Sequence, residues 1–243
     1  MKIKLVISYD GTDYCGWQRQ KNKPSIQEVL ENAVFSVTKE RVTVTASGRT
    51  DAGVHAAGQV AVFKTGATVP PEKFCKALNV FLPSDIKVLR SEKADDGFHP
   101  VKSAKRKTYE YTLYYSPVPL PLKERYAVNI DKRPDIALMK TAAEKLVGEH
   151  DFRAFSATGS SVKTTVRTVY AADVEERGDE IKIAVTGNGF LYNMVRIIAG
   201  TLLRAGYGDI GVSDIEKALK TGDRKLLGKT MPAKGLCLKD VVY

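Results

Sequence analysis

Hydrophobic and polar positions alternate through Ile3-Lys4-Leu5-Val6-Ile7-Ser8-Tyr9, and Asp10-Gly11-Thr12-Asp13-Tyr14 turns the chain away, so the pattern predicts an opening strand. The period then lengthens. Ser25-Ile26-Gln27-Glu28 has capping-box spacing, and Ile26, Val29, Leu30, Ala33, Val34 and Val37 recur at helical intervals, which predicts a helix with one face on a sheet. Val42-Thr43-Val44-Thr45-Ala46 and Gln59-Val60-Ala61-Val62-Phe63 are β-branched and alternating, and predict two strands. Pro70-Pro71-Glu72 opens a second helix that carries Phe74, Leu78 and Phe81 and stops before Pro83, with Ile86-Lys87-Val88-Leu89 following as a strand. Strand, helix, two strands, helix, strand is the order of a ferredoxin-like unit.

Glu92 to Lys107 is polar and ends in Lys102, Lys105, Arg106 and Lys107, which suggests a linker with a basic hinge. Beyond it Thr108-Tyr109-Glu110-Tyr111-Thr112-Leu113-Tyr114-Tyr115 alternates as Ile3 to Tyr9 does, the mark of an internal repeat. A helix around Met139, Ala142, Ala143 and Leu146 is expected to end at Gly148. Val166 to Tyr170 and Ile181 to Val185 are strands, joined as a hairpin through Arg177-Gly178-Asp179. Two further helices follow, and Leu236 to Val242 closes as a strand. The fold expected is α+β: two ferredoxin-like, RRM-like units, residues 1–104 and 105–243, with antiparallel sheets joined into one extended sheet and an active-site cleft between them.

One stretch does not belong to any core. Ser47-Gly48-Arg49-Thr50-Asp51-Ala52-Gly53-Val54-His55 packs two glycines, a cation, a carboxylate and an imidazole between two strands. Gly48 and Gly53 allow backbone angles or close approaches that a side chain forbids, so Asp51 stands at the centre of a shaped turn. Arg49 lies two positions away, on the same face in extended geometry, where a guanidinium keeps a carboxylate ionised. Such an aspartate can cap backbone amides, or it can act as nucleophile or base.

Composition sharpens this picture. The chain has 243 residues, 43% of them hydrophobic, with no apolar run of membrane-spanning length and an N-terminus patterned as a strand rather than a signal peptide, so the cytoplasm is expected. Three cysteines and three histidines are scattered, without metal-ligand spacing, and neither a metal nor a cofactor is expected. Lys and Arg number 38 against 28 Asp and Glu, a formal charge of +10 that points to a polyanionic partner, and with exposed aromatics and loop arginines to RNA.

Gly48-Arg49-Thr50-Asp51-Ala52-Gly53-Val54-His55-Ala56 resembles, without a gap, the signature of the tRNA pseudouridine synthase A (TruA) family. The resemblance extends to Tyr9-Asp10-Gly11-Thr12, Gly16-Trp17-Gln18-Arg19-Gln20, Lys107-Thr108-Tyr109-Glu110-Tyr111, His150-Asp151-Phe152-Arg153-Ala154-Phe155, Asn188 to Gly200 and Met231-Pro232-Ala233-Lys234-Gly235-Leu236. It departs at Val101 and Lys102, where the family has an arginine and an aromatic residue. The resemblance implies that Asp51 is the catalytic residue, that Tyr109 stacks on the target base and that a basic residue near Arg19 contacts tRNA. Arg49 and His55 are further substrate-binding candidates from the same loop. Arg196 sits alone in a run otherwise apolar from Met194 to Ala199, where a guanidinium is costly unless it meets a carboxylate or snorkels to solvent. The resemblance implies that its partner is Asp51. It also implies a homodimer acting on tRNA, at uridines on the 3′ side of the anticodon stem-loop (positions 38–40 of the tRNA), with no membrane involved.

Two other readings compete. A non-catalytic RNA-binding protein of two RRM-like units accounts for the charge and the strand aromatics, but a pure binder has little use for a carboxylate facing a polyanion, and the RRM signature is absent. A hydrolase triad of Ser47, Asp51 and His55 is crowded into one loop, whereas triads are usually assembled from separate elements.

Overall fold

The computed structural model describes residues 1–21, 23–157 and 163–243. The chain divides into two compact units, Met1–Lys105 with Cys237–Tyr243, and Arg106–Leu236. The first unit runs β1 (Lys2–Tyr9), α1 (Ile26–Thr38), β2 (Thr45–Ala46), β3 (His55–Lys64), α2 (Phe74–Asn79) and β4 (Ile86–Ala94). Its strands lie in the order β4-β1-β3, with β2 on the far edge of β3, which is the ferredoxin-like arrangement. Register places Leu5 opposite Ala61 and Ile7 opposite Gln59, and Ile3, Leu5 and Ile7 are fully buried on that face. Helix α1 starts where the sequence places it: the Ser25 side chain accepts from the Glu28 N–H, and Ile26, Leu30, Ala33 and Val34 are buried.

Two expectations in this unit are corrected. Only Thr45–Ala46 of the Val42–Ala46 run is strand, because the Val44 N–H bonds the Glu31 carboxylate of α1 at 3.0 Å and its carbonyl takes the Gln27 amide at 3.2 Å. The supposed linker is strand at both its ends, 92–94 in β4 and 106–107 in the strand that follows. β4 continues to Ala94 because its polar residues find partners: Lys4 of β1 pairs with Glu92 at 3.0 Å, and buried Ser91 accepts from the Cys75 N–H of α2.

The second unit comprises β5 (Arg106–Tyr115), β6 (Val128–Ile130), α3 (Ile136–Glu144), β7 (Gly148–Asp151), β8 (Val166–Arg177), β9 (Glu180–Gly187), α4 (Met194–Gly206) and α5 (Val212–Thr221). Antiparallel pairing gives β5-β9-β8-β7. The succession β5, α3, β8, β9, α4 repeats β1, α1, β2, β3, α2, and β5-β9-β8 repeats β1-β3-β2. Gly178, at φ +65, turns the β8–β9 hairpin as expected. Gly148 does not cap α3, which ends at Glu144; at φ +116 it opens β7 instead.

The last strand, β10 (Leu236–Val242), belongs almost wholly to the first unit, where it runs parallel to β3 with Cys237 opposite His55. β6 likewise runs parallel to β5. Both units thus include a parallel pairing, because apolar alternation specifies which face of a strand is buried but not which neighbour it pairs with. No helix among the described residues is long and apolar enough to cross a membrane.

Candidate active site

In the first unit the loop between β2 and β3 is gripped by the segment that follows β1. The Trp17 N–H donates to the Thr50 carbonyl at 3.0 Å, the Gly53 N–H to the Tyr14 carbonyl at 3.4 Å, and the Val54 N–H closes a turn onto the Asp51 carbonyl at 3.1 Å. Gly53 has φ +76, the left-handed angle that glycine accepts. Gly48 is not left-handed; it contributes its carbonyl to the Gln59 amide at 2.9 Å. Two other glycines make the grip possible. A Cβ on Gly11 would lie 2.0 Å from the Val54 carbonyl oxygen, and one on Gly16, itself at φ +100, would lie 2.5 Å from that of Thr50. The strand-end motifs Tyr9-Asp10-Gly11-Thr12 and Gly16-Trp17 are thus the bed on which the Asp51 turn rests, and Asp51 is half-buried there.

The other candidates in this unit take different places. Arg49 is exposed and makes no ion pair with Asp51; among the described residues its guanidinium holds no partner. His55 is 5% exposed, at the start of β3, with Nδ1 at 3.1 Å from both the Gly11 nitrogen and Asp10 Oδ1. A bare Nδ1 accepts from the Gly11 N–H and a protonated one donates to Asp10, so in either state the ring is committed to the bed of the loop. At 5% exposure the ring presents little surface to solvent. Arg19 is exposed but held by Glu31 of α1 at 2.8 Å. Trp17 is 3% exposed against Tyr9 and plugs the sheet end. Ser47 is fully buried and donates to Gln59 Oε1 at 2.7 Å, which removes the triad reading.

In the second unit Tyr109 and Tyr111 share one face of β5, as alternation requires, at 8% and 0% exposure. Tyr109 meets the edge of Phe190 at a centroid distance of 5.2 Å. The Tyr111 hydroxyl donates to the Pro232 carbonyl at 2.7 Å, and burial pushes this phenol well above its ordinary pKa although the Arg196 charge opposes the shift. Arg196 lies in the first turn of α4, half-buried, with Nε donating to the Met231 carbonyl at 2.6 Å and Nη1 to Asn193 Oδ1 at 2.7 Å. The Met231 N–H returns a bond to the Arg196 carbonyl at 3.2 Å.

Met231-Pro232-Ala233-Lys234-Gly235, from which no chemistry could be derived in the sequence, is therefore a shelf of carbonyls that aims Tyr111 and Arg196. A Cβ on Gly235 would lie 2.7 Å from the Tyr111 ring, so only glycine lets the shelf close on it. The available signal was proline and glycine flanking a short segment near the chain end, which does not say what the carbonyls hold. Arg167 donates through Nη1 to the carbonyls of Thr164 and Val166 at 2.9 and 2.6 Å.

Comparison with known proteins bears on this geometry. The family model described as tRNA pseudouridine synthase matches residues 5–101 and 142–243. Over 241 residues the chain is 46% identical to the tRNA pseudouridine synthase A of Thermoanaerobacter sp. (strain X514), covering 99% of each chain. It is 46% identical over 245 residues to that of Bacillus subtilis (strain 168), covering 100% of this chain and 99% of the relative. Among solved structures, one chain of a Cbf5-Nop10-Gar1 complex aligns over 97% of this chain and 48% of its own at 16% identity; its TM-score of 0.38 carries no argument. On the family model and the full-length relatives, the chain belongs to the tRNA pseudouridine synthase A family.

Proposed function

We propose that this protein isomerises uridine to pseudouridine in tRNA, with Asp51 as the catalytic group. The reaction is an isomerisation: the bond from C1′ to N1 of uracil breaks, a bond from C1′ to C5 forms, the C5 proton leaves, and N1 gains one. One carboxylate suffices for it, whether it attacks the sugar, adds to the base or removes the C2′ proton to give a glycal. The observation that carries the reading is the placement of Asp51 within the family signature, on a turn clamped by Gly11, Gly16 and Trp17, in a chain related over its full length to enzymes of that name.

The target base leaves its stack at a cost of about a few kcal/mol, which stacking on Tyr109 offsets, and exposed Arg49 and Arg19 contribute phosphate contacts. Arg196 serves the same site as an oriented cation. The substrate positions are uridines on the 3′ side of the anticodon stem-loop, the working form is a homodimer, and the compartment is the cytoplasm; these rest on the sequence resemblance and on the charge of +10.

The test is Asp51→Asn and Asp51→Ala, with uridine conversion, tRNA affinity and thermal unfolding measured on each. Lost conversion with affinity and folding retained is expected. Conversion by Asp51→Asn at the wild-type rate refutes the assignment of Asp51, and a wild-type protein that never converts uridine in tRNA refutes the activity.

A further inference from the structure

Under the Asp51 turn, buried polar side chains from β1, β3 and the loop itself form one hydrogen-bonded set. Ser47 and Gln59 are 0% exposed, Tyr9 3% and Thr50 6%. Ser47 Oγ lies 2.7 Å from Gln59 Oε1, and Gln59 Nε2 lies 2.9 Å from the Gly48 carbonyl and 3.4 Å from Tyr9 Oη. Tyr9 Oη is in turn 2.8 Å from Thr50 Oγ1.

The orientation of the Gln59 amide follows from its partners. A carbonyl only accepts, so the Gly48 oxygen fixes the Gln59 amide with its nitrogen toward Gly48 and its oxygen toward Ser47. The two amide hydrogens then go to Gly48 and to Tyr9. Tyr9 Oη, accepting from Gln59, also bonds Thr50 Oγ1, and either oxygen can be the donor. Burial pushes the Tyr9 phenol up to about 12, with the Thr50 and Gln59 bonds opposing, so the hydroxyl keeps its hydrogen at any physiological pH.

Packing alone does not ask for these groups. Gln59 faces Ile7 across the sheet, on the face where Leu5 meets Ala61 and Ile3 meets Phe63, and an aliphatic side chain would fill its place without a buried amide to satisfy. What an aliphatic residue could not do is hold Gly48. We propose that Gln59 and Tyr9 are positioning residues for the isomerisation: by anchoring the loop at Gly48 and at the Thr50 side chain, on both sides of Arg49, they set where the Asp51 carboxylate stands. None of the four is exposed to touch substrate, so they act through the loop. The Thr50 carbonyl is held separately by the Trp17 N–H, which makes Thr50 the residue fixed at both its backbone and its side chain immediately before Asp51.

This inference rests on Asp51 being the reacting group, and the experiment separates the two. Tyr9→Phe and Thr50→Val each delete the same hydrogen bond while keeping shape, whereas Thr50→Ser keeps the hydroxyl. Single-turnover conversion, tRNA Kd and thermal unfolding are measured on the full chain. Because misplacement of a catalytic group by about 1 Å costs on the order of 100-fold, Tyr9→Phe and Thr50→Val are expected to slow conversion by about 10- to 100-fold with Kd within about twofold. Thr50→Ser recovers the rate to within about threefold, and the Tyr9→Phe/Thr50→Val double variant is no slower than Tyr9→Phe alone, which already lacks the shared bond together with the contact from Gln59. Normal single-turnover rates in Tyr9→Phe and Thr50→Val overturn the proposal, as does a loss of rate that merely follows a loss of tRNA affinity or of folding. If Asp51→Asn is inactive while those two convert normally, positioning alone fails; if Asp51→Asn converts normally, the parent reading fails whatever Tyr9→Phe does.

Discussion

Three glycine substitutions separate two costs that the Asp51 turn combines. Gly178, in the β8–β9 hairpin, has φ +65 and nothing within 4 Å of where a methyl group would stand, so Gly178→Ala meets only the left-handed backbone penalty, about 1 kcal/mol. Gly11 has no positive φ, but its Cβ would lie 2.0 Å from the Val54 carbonyl oxygen, so Gly11→Ala forces two backbones apart at about 2–3 kcal/mol. Gly16 carries both, φ +100 and a 2.5 Å approach to the Thr50 carbonyl, and Gly16→Ala is expected to cost about 3–5 kcal/mol. Urea unfolding reads these differences. The single tryptophan, Trp17, is adjacent to Gly16 and buried, so its fluorescence reports the first unit, and far-UV circular dichroism reports Gly178→Ala in the second. With a slope of about 2 kcal/mol per M, Gly16→Ala should lower the first-unit midpoint by about 2 M. Conversion of uridine should fall in Gly11→Ala and Gly16→Ala measured well below their midpoints, because the turn carrying Asp51 must move, and stay normal in Gly178→Ala. A Gly16→Ala protein no less stable than Gly178→Ala, or one that converts uridine at full rate, refutes the view that this contact shapes the turn.

Arg196→Lys retains the charge but not the fork that reaches the Met231 carbonyl and Asn193 together, so turnover should drop by at least about 10-fold, nearly as far as in Arg196→Met; a lysine variant with the wild-type rate would show that charge alone matters. Tyr111→Phe removes a buried bond to the Pro232 carbonyl and should lower stability by about 1–2 kcal/mol in urea titrations, a prediction that fails if the midpoint is unchanged. The Tyr9 phenol is raised from 10.0 to about 12, chiefly by burial: below pH 10 it is neutral in both states, above it only the unfolded chain ionises, and so stability declines as pH rises from 10 to about 12, by about 2–3 kcal/mol from this group. Tyr9→Phe should make that decline shallower, and an equally steep profile counts against a protonated buried phenol. Arg49→Ala should weaken tRNA binding and reduce its log–log salt slope by about 1 without moving the melting temperature, whereas an unchanged slope would exclude a phosphate contact.

The core of each unit was legible because it is periodic. Ser25 capping, the stripe of Ile26, Leu30, Ala33 and Val34, and the turn at Gly178 all follow from local chemistry and appear where local chemistry puts them. The candidate loop was legible for the opposite reason, as a polar sequence that no core could absorb. What stayed hidden were contacts whose partners are remote along the chain. Val44 leaves its strand because Glu31 takes its N–H, β4 extends because Lys4 and Ser91 find polar partners, and the last strand returns to β3. Gly11, Gly16 and Gly235 looked like ordinary turn residues, yet each is required by a backbone or ring from elsewhere in the same unit. His55 looked like chemistry because of its neighbours in sequence; its neighbours in space are Asp10 and Gly11.

Placement of the charged groups argues for catalysis over binding alone. The N-terminus of a helix carries roughly half a positive charge, so stability favours an acid in the first turn, as Glu28 provides in α1 and Asp214 in α5. Helix α4 has no acid there and carries Arg196 instead. The bonds described for that guanidinium run to a carbonyl and an amide oxygen, neutral acceptors that fix its orientation. In the first unit, likewise, Gly48 and Thr50 are held by the neutral groups of Gln59 and Tyr9, and Thr50 again by a backbone N–H. A surface that only bound RNA would gain from mobile lysines and would not need either set of neutral anchors. Rigid neutral anchoring of charged side chains is what a reaction requires, because a transition state is stabilised by charges already in place and not by charges that must be moved there.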